Sequence, residues 1–257
     1  MSGRADNASG VPSHKWRTPP DPWHRARVLE TRSETPAART LVLAVRDWPG
    51  HDAGQHVDVR LTAENGYTAQ RSYSISSAPA KERLELTVQK VANGEVSPYF
   101  VDTIQVGDEF ELRGPLGGWF RWTPELNNPV LLVGGGSGLV PLMAMLRVRV
   151  SSQSDAPFHL IYSARTPDHL LYGPELHRLA TSPGKVIIEH AFTRVGRPGD
   201  SRTPGRLQIE DMPAPSDADA LPTRVYVCGP NGFVENASQL LLQRGHPASS
   251  IRTERFG

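Results

Sequence analysis

The periodicity of apolar residues changes near Asn127-Asn128-Pro129, and this change limits the fold more than any other feature. From Trp23 to about Trp122 the chain reads as short β-like runs at 39–45, 55–61, 69–76, 84–90 and 109–112, separated by turn formers. Five or six such strands with Gly and Pro between them predict an antiparallel barrel or sandwich. Beyond Pro129 strands alternate with helix-like runs: strand 130–133, helix 141–150, strand 158–163, helix 174–181, strands 185–192 and 224–228, then helix 233–243. That alternation predicts a parallel α/β sheet. The organisation expected is a loose tail over 1–22, a β domain over 23–124 and an α/β domain over 127–257. The Pro-, Ala- and Asp-rich stretch 212–223 reads as a surface loop.

Composition removes several function classes. With 28 basic and 27 acidic residues the net charge is +1, and no dense basic run marks a nucleic-acid or anionic-lipid surface. A single cysteine, Cys228, allows neither an internal disulfide nor a cysteine-ligated cluster, so no metal site is expected and any iron–sulfur partner is another polypeptide. Residues 1–22 lack the apolar core of a signal peptide, and no segment approaches the ~18 apolar residues of a membrane span, so a cytoplasmic protein is expected.

Four segments carry chemistry. In an extended run Arg71 and Tyr73 point to one face, where a guanidinium can hold a phosphate and a phenol ring can pack on a flavin; Ser74 joins them only if the chain turns. Gly94-Glu95-Val96-Ser97-Pro98 reads as a helix start, with Ser97 as N-cap and Pro98 at the first helical position, an end that attracts a pyrophosphate. Gly134-Gly135-Gly136-Ser137-Gly138 joins the strand 130–133 to a helix, and glycines there permit close approach of backbone to a diphosphate. The strict dinucleotide fingerprint fails, because Pro141 stands where its third glycine belongs. A hydrolase elbow fails as well, with Leu139 in its last glycine position. Cys228-Gly229-Pro230 closes an apolar strand and lies beside the Gly-rich turn if the two strands are neighbours.

In this order, Arg71-x-Tyr73-Ser74, Gly94-x-x-Ser97, Gly136-x-Gly138-x-x-Pro141, Cys228-Gly229-Pro230 and Glu254-Arg255-Phe256 resemble the ferredoxin–NADP(+) reductase-like flavoprotein superfamily, from about Trp23 to the end. The resemblance implies a six-stranded antiparallel barrel that binds FAD, then an α/β nucleotide-binding domain, with nicotinamide meeting flavin between them. It implies that Arg71, Tyr73 and Ser74 contact FAD, with Ser74 near flavin N5, and that Gly94, Val96 and Ser97 cradle the pyrophosphate. By the same resemblance Gly135, Gly136, Gly138, Pro141, Gly229 and Pro230 serve the nicotinamide nucleotide. Cys228 sits against its ring, and Glu254 completes the transfer site with Ser74 and Cys228. Phe256 stacks on the flavin, where other reductases of the family end in Tyr or Trp.

The strand 159–163 runs into Ala164-Arg165 without the carboxylate that NAD-specific domains place there to bind the ribose 2′-OH. Arg194 and Arg206 match arginines that hold the 2′-phosphate in bacterial ferredoxin–NADP reductases. With Arg165 they fit a phosphate dianion, so NADPH is expected as donor, with NADH possible. The expected acceptor is a separate ferredoxin or other redox protein. A reductase of free flavin, a quinone or a ferric chelate, and a non-catalytic flavin or nucleotide sensor, are the alternatives.

Overall fold

A computed structural model describes residues 22–182, 184, 186–215 and 223–256. Most of the expected tail, residues 216–222 of the expected loop, Lys185 and Gly257 lie outside the described residues.

Six strands make the first sheet: β1 (His24–Thr35), β2 (Ala38–Val45), β3 (His56–Thr62), β4 (Thr68–Ser74), β5 (Arg83–Gln89) and β6 (Glu109–Leu116). Their order is β4-β3-β6-β1-β2-β5, with every pairing antiparallel. The two edges meet in one antiparallel bridge, Ile75 with Leu86, so the sheet curls into a barrel closed at a point rather than along a ladder. Alternate side chains fill its interior: Val57 and Val59, Leu84, Leu86 and Val88, Phe110 and Leu112. Phe100, from a π-helical turn over Tyr99–Thr103, is buried among them with its ring 5.0 Å from that of Phe110.

The second sheet is parallel, in the order β11-β10-β7-β8-β9. Its elements are β7 (Val130–Gly135), α1 (Leu139–Ser151), β8 (Phe158–Ala164), α2 (Gly173–Thr181), β9 (Val186–Phe192), β10 (Arg224–Pro230), α3 (Asn231–Gln243) and β11 (Ile251–Phe256). β7 is buried at all six positions, as a central parallel strand covered on both faces must be. Pro141 falls in the first turn of α1, where its missing N–H costs nothing, and α1 is apolar nearly all round. The helix shares one core with Ala38, Ala53, Phe120 and Trp122 of the barrel half.

A polar network reinforces that junction. The Arg147 guanidinium on α1 donates to the Ser76 carbonyl (2.9 Å), to Glu85 (3.0 Å) and, through two nitrogens, to Glu175 on α2 (3.0 and 2.7 Å). Arg32 reaches the other oxygen of Glu85 at 2.6 Å. No described helix is long and apolar enough to cross a membrane.

Candidate active site

A cleft of about 600 Å³ opens between β4, the loop that follows β5, the Gly-rich turn and the end of β11. Arg71, Tyr73, Ser74, Gly94, Val96, Ser97, Glu254 and Phe256 all line it, so residues scattered over 186 positions of sequence are brought to one place. Ser74 lines the cleft beside Tyr73 because it is the last residue of β4; the chain then turns inward, and the Ile75 N–H donates to the Gln55 carbonyl. The Tyr73 ring meets Phe100 edge-on at 5.7 Å, and burial pushes its phenol up to about 12, so it stays a neutral aromatic surface.

Arg71 is engaged across the cleft mouth. It donates to Glu95 at 3.2 Å, and the other Glu95 oxygen accepts the Tyr67 hydroxyl at 3.0 Å. Both partners of this ion pair are about half exposed, so the pair is weak and exchangeable.

The expected cap at Ser97 is corrected. The first i→i−4 bond runs from the Phe100 N–H to the Val96 carbonyl, so Ser97 already lies in the first turn, and the helix widens at once into the π-helical turn. The Ser97 hydroxyl accepts the Val91 N–H at 3.0 Å and ties the loop to itself. A side chain on Gly94 would come within 3.0 Å of Ser97 Oγ and 3.2 Å of the Val91 carbonyl, which explains the glycine. The Val96 side chain is buried in the barrel core, leaving only its backbone to meet a ligand.

At the far wall, β11 runs parallel to β10 and sets Glu254 opposite Cys228. Burial pushes the Glu254 carboxyl up to about 7. One of its oxygens lies 3.5 Å from His56 Nδ1, and the other is buried without a hydrogen-bond partner. Burial holds the His56 imidazole below its usual value, opposed by the charge of Asp58. Cys228 is buried one strand further in. Burial first, then the Glu254 carboxylate, pushes its thiol well above the ordinary range, so the thiol stays neutral.

Gly135, Gly138 and Gly229 face the protein itself. A Cβ on Gly138 would stand 2.1 Å from the Cys228 carbonyl oxygen, and one on Gly135 or Gly229 would stand 2.7 Å from the Phe233 ring. Gly136 adopts φ +56 and faces Gln89 at the cleft. Pro141 is buried in α1, and Pro230 is exposed at the end of β10. Arg165 and Arg194 are exposed just beyond the carboxyl ends of β8 and β9, Arg206 is exposed in the loop that returns to Phe192, and none lines the cleft. The Arg194 N–H donates to the Arg165 carbonyl at 2.9 Å. Among the described residues none of these three side chains enters an ion pair.

His56, Gln89, Ser137, Val140 and Arg255 also line the cleft and were not anticipated. His56 follows Gly54-Gln55 as an ordinary strand residue, and only its register opposite Ser74 brings it to the site.

The cleft thus offers a flat apolar wall, hydroxyls, an amide and a guanidinium, a set that fits a planar heteroaromatic ring with an anionic tail. Two family models match in tandem, the oxidoreductase FAD-binding domain over residues 31–121 and the oxidoreductase NAD-binding domain over residues 132–239. The chain belongs to the ferredoxin–NADP(+) reductase-like flavoprotein superfamily and carries both of its nucleotide-binding domains. It is 31% identical over 210 residues to the reductase component of propane 2-monooxygenase from Mycolicibacterium smegmatis. It is 30% identical over 203 residues to the electron transfer component of toluate 1,2-dioxygenase from Pseudomonas putida. Each match takes in 79% of this chain, which spans 58% of each relative's length. The flavohem-like FAD/NAD-binding domain of nitric oxide dioxygenase from Vibrio cholerae has the same fold, with a TM-score of 0.80 at 23% identity over 91% of this chain and 98% of that one.

Proposed function

We propose that this chain is an FAD-dependent NADPH oxidoreductase that passes electrons to a separate redox protein, a ferredoxin or an oxygenase component. The observation that carries this reading is the single cleft that joins Arg71, Tyr73 and Ser74 of the barrel to Glu254 and Phe256 of the second sheet. When bound there, FAD supplies the chemistry of accepting a hydride and releasing its electrons singly. The chain's own part is to bind, orient and exclude water. Arg71 would leave Glu95 to pair with the pyrophosphate, the backbone of Gly94, Val96 and Ser97 would hold it, and Tyr73 would support the ring. Ser74 and Glu254 would flank the reacting edge, and Glu254, whose carboxyl burial raises to about 7, would hold a proton at its oxygen 3.5 Å from His56 Nδ1. Phe256, 38% exposed at the rim, would cover the ring until nicotinamide took its place. Residues 23–124 and 127–257 act as the two functional domains, and the reaction runs in the cytoplasm, where its nucleotide donor is supplied.

Two lines support the donor and the acceptor. Three arginines free of ion pairs among the described residues suit a 2′-phosphate, and the two relatives are named as reductase or electron transfer components of oxygenases. Anaerobic titration of the purified protein tests the reading: bleaching of its ~450 nm flavin band by NADPH at far lower concentration than NADH is the expected result. A colourless protein that cannot be reconstituted with FAD sinks it. Turnover with small acceptors, but none with any ferredoxin or oxygenase component, would instead favour a small-molecule reductase.

A further inference from the structure

We propose that Arg202 is a positioning residue for nucleotide selection, which fixes Arg206 beside Arg165 and Arg194 to receive a 2′-phosphate monoester. The inference rests on the NADPH reading above and deepens it. Arg202 does not itself project to a ligand, because its fork is turned inward and saturated. Its Nε and Nη2 donate to the two Asp211 oxygens at 2.7 and 2.8 Å. Nη2 also donates to the Arg206 carbonyl at 2.9 Å and the Gly205 carbonyl at 3.4 Å. Nη1 reaches the carbonyls of Thr203 at 3.2 Å and of Phe192 and Gly205 at 3.4 Å.

These acceptors tie the end of β9 to the stretch 203–211, so one guanidinium sets the path of the chain on either side of Arg206. Asp211 reinforces it by accepting the Gln208 N–H at 2.7 Å, and the Gly205 N–H donates to the Phe192 carbonyl at 2.9 Å. Leu207 is buried in the core and anchors the loop from beneath. Arg206, between Gly205 and Leu207, therefore has a fixed backbone and an exposed side chain without an ion pair among the described residues. Arg194 is fixed two residues beyond Phe192 by its bond to the Arg165 carbonyl. The three exposed arginines are thus carried by backbone segments bonded to one another, the condition for a fork-shaped dianion site with little ordering cost on binding.

Lysine in place of Arg202 keeps the charge but cannot supply planar, multidirectional donation. A positioning role therefore predicts that Arg202→Lys and Arg202→Gln behave alike. We would compare the wild type, both variants, Asp211→Asn and Arg206→Ala for the ratio of kcat/KM with NADPH to that with NADH. Inhibition by adenosine 2′,5′-bisphosphate and by 5′-AMP would be measured in parallel, with flavin content and Tm as checks on folding. The expected result is that both Arg202 variants and Asp211→Asn lower the nucleotide ratio by about tenfold or more, the scale of a lost charge-assisted hydrogen bond. Bisphosphate binding should weaken in step while 5′-AMP binding does not. The positioning role is overturned if Arg202→Lys keeps the wild-type ratio, which would mean that charge alone acts. It is overturned equally if Arg206→Ala loses the preference while Arg202→Gln keeps it. A wild type and an Arg206→Ala variant that both fail to distinguish the bisphosphate from 5′-AMP would instead remove the NADPH reading itself.

Discussion

The Tyr172 hydroxyl donates a 2.5 Å hydrogen bond to Thr87 Oγ1, joining the start of α2 to β5 across the two sheets. Tyr172 holds a left-handed backbone, φ 54, which a non-glycine residue adopts at a cost of about 1 kcal/mol or more. Its N–H donates to Glu34 at 3.1 Å, and its ring lies under the Arg147 guanidinium at 5.0 Å, so contacts with the barrel hold the strained residue in place. Tyr172→Phe should lose about 1 kcal/mol of unfolding free energy in urea. Thr87→Val should lose about 2 kcal/mol, because it strands a buried phenol. A double-mutant cycle that returned no coupling between the two would refute the bond's contribution.

Gly138→Ala should be far worse. The added methyl would meet the Cys228 carbonyl oxygen at 2.1 Å, backbone against backbone, with no flexible side chain to yield. A loss of about 3 kcal/mol or more is expected, read as a lower Tm or as insoluble expression. Gly118→Ala, where nothing lies within 4 Å, is the control and should fold normally.

Glu95 holds the guanidinium that the proposed function assigns to the cofactor. Glu95→Gln should release Arg71 and tighten FAD binding by about two- to fivefold, the worth of an exposed ion pair. Titration of the apoprotein with FAD checks this, and weaker binding in the variant would show that Glu95 positions Arg71 instead of occupying it.

Glu254 makes stability depend on pH in a predictable direction. Below about pH 4.5 the carboxyl is protonated in both states; as pH rises the unfolded chain ionises first, while the folded carboxyl keeps its proton to about 7. The folded state therefore binds more protons across that window, and stability falls from about pH 4.5 to 7, then levels off, by on the order of 3 kcal/mol at most. His56, held neutral by burial, acts oppositely, with stability rising as pH passes its unfolded value. The difference between wild type and Glu254→Gln in urea melts isolates the carboxyl. A difference that stays constant from pH 5 to 8 would remove it as a titrating group.

The change of periodicity at residue 127 was legible because it follows burial: alternate positions inside the barrel, continuous burial in β7 and β10. β1 escaped, since among its twelve residues only Ala26 and Val28 are buried, an alternation too short to mark a strand of that length. β11, Ile-Arg-Thr-Glu-Arg-Phe, is an edge strand without a buried residue. Motif residues reached the cleft because β4, the loop after β5 and β11 carry them to its walls. His56, at the start of β3, and Gln89, at the end of β5, belong to no such motif, and a helix that widens to π spacing at Tyr99 defeated the cap expected at Ser97.

The Arg147 network also bears on how such chains can be recombined. Glu34, Glu85, Thr87 and the Ser76 carbonyl sit on one side of the junction, and Arg147, Tyr172 and Glu175 on the other. A chimera cut at residues 123–129 would part every one of these pairs at once, leaving acidic and hydroxyl groups of the barrel against foreign side chains. The joint that looks simplest to splice is thus the one where the halves are matched most specifically, and exchange of the nucleotide domain would have to carry α1 and α2 contacts with it to succeed.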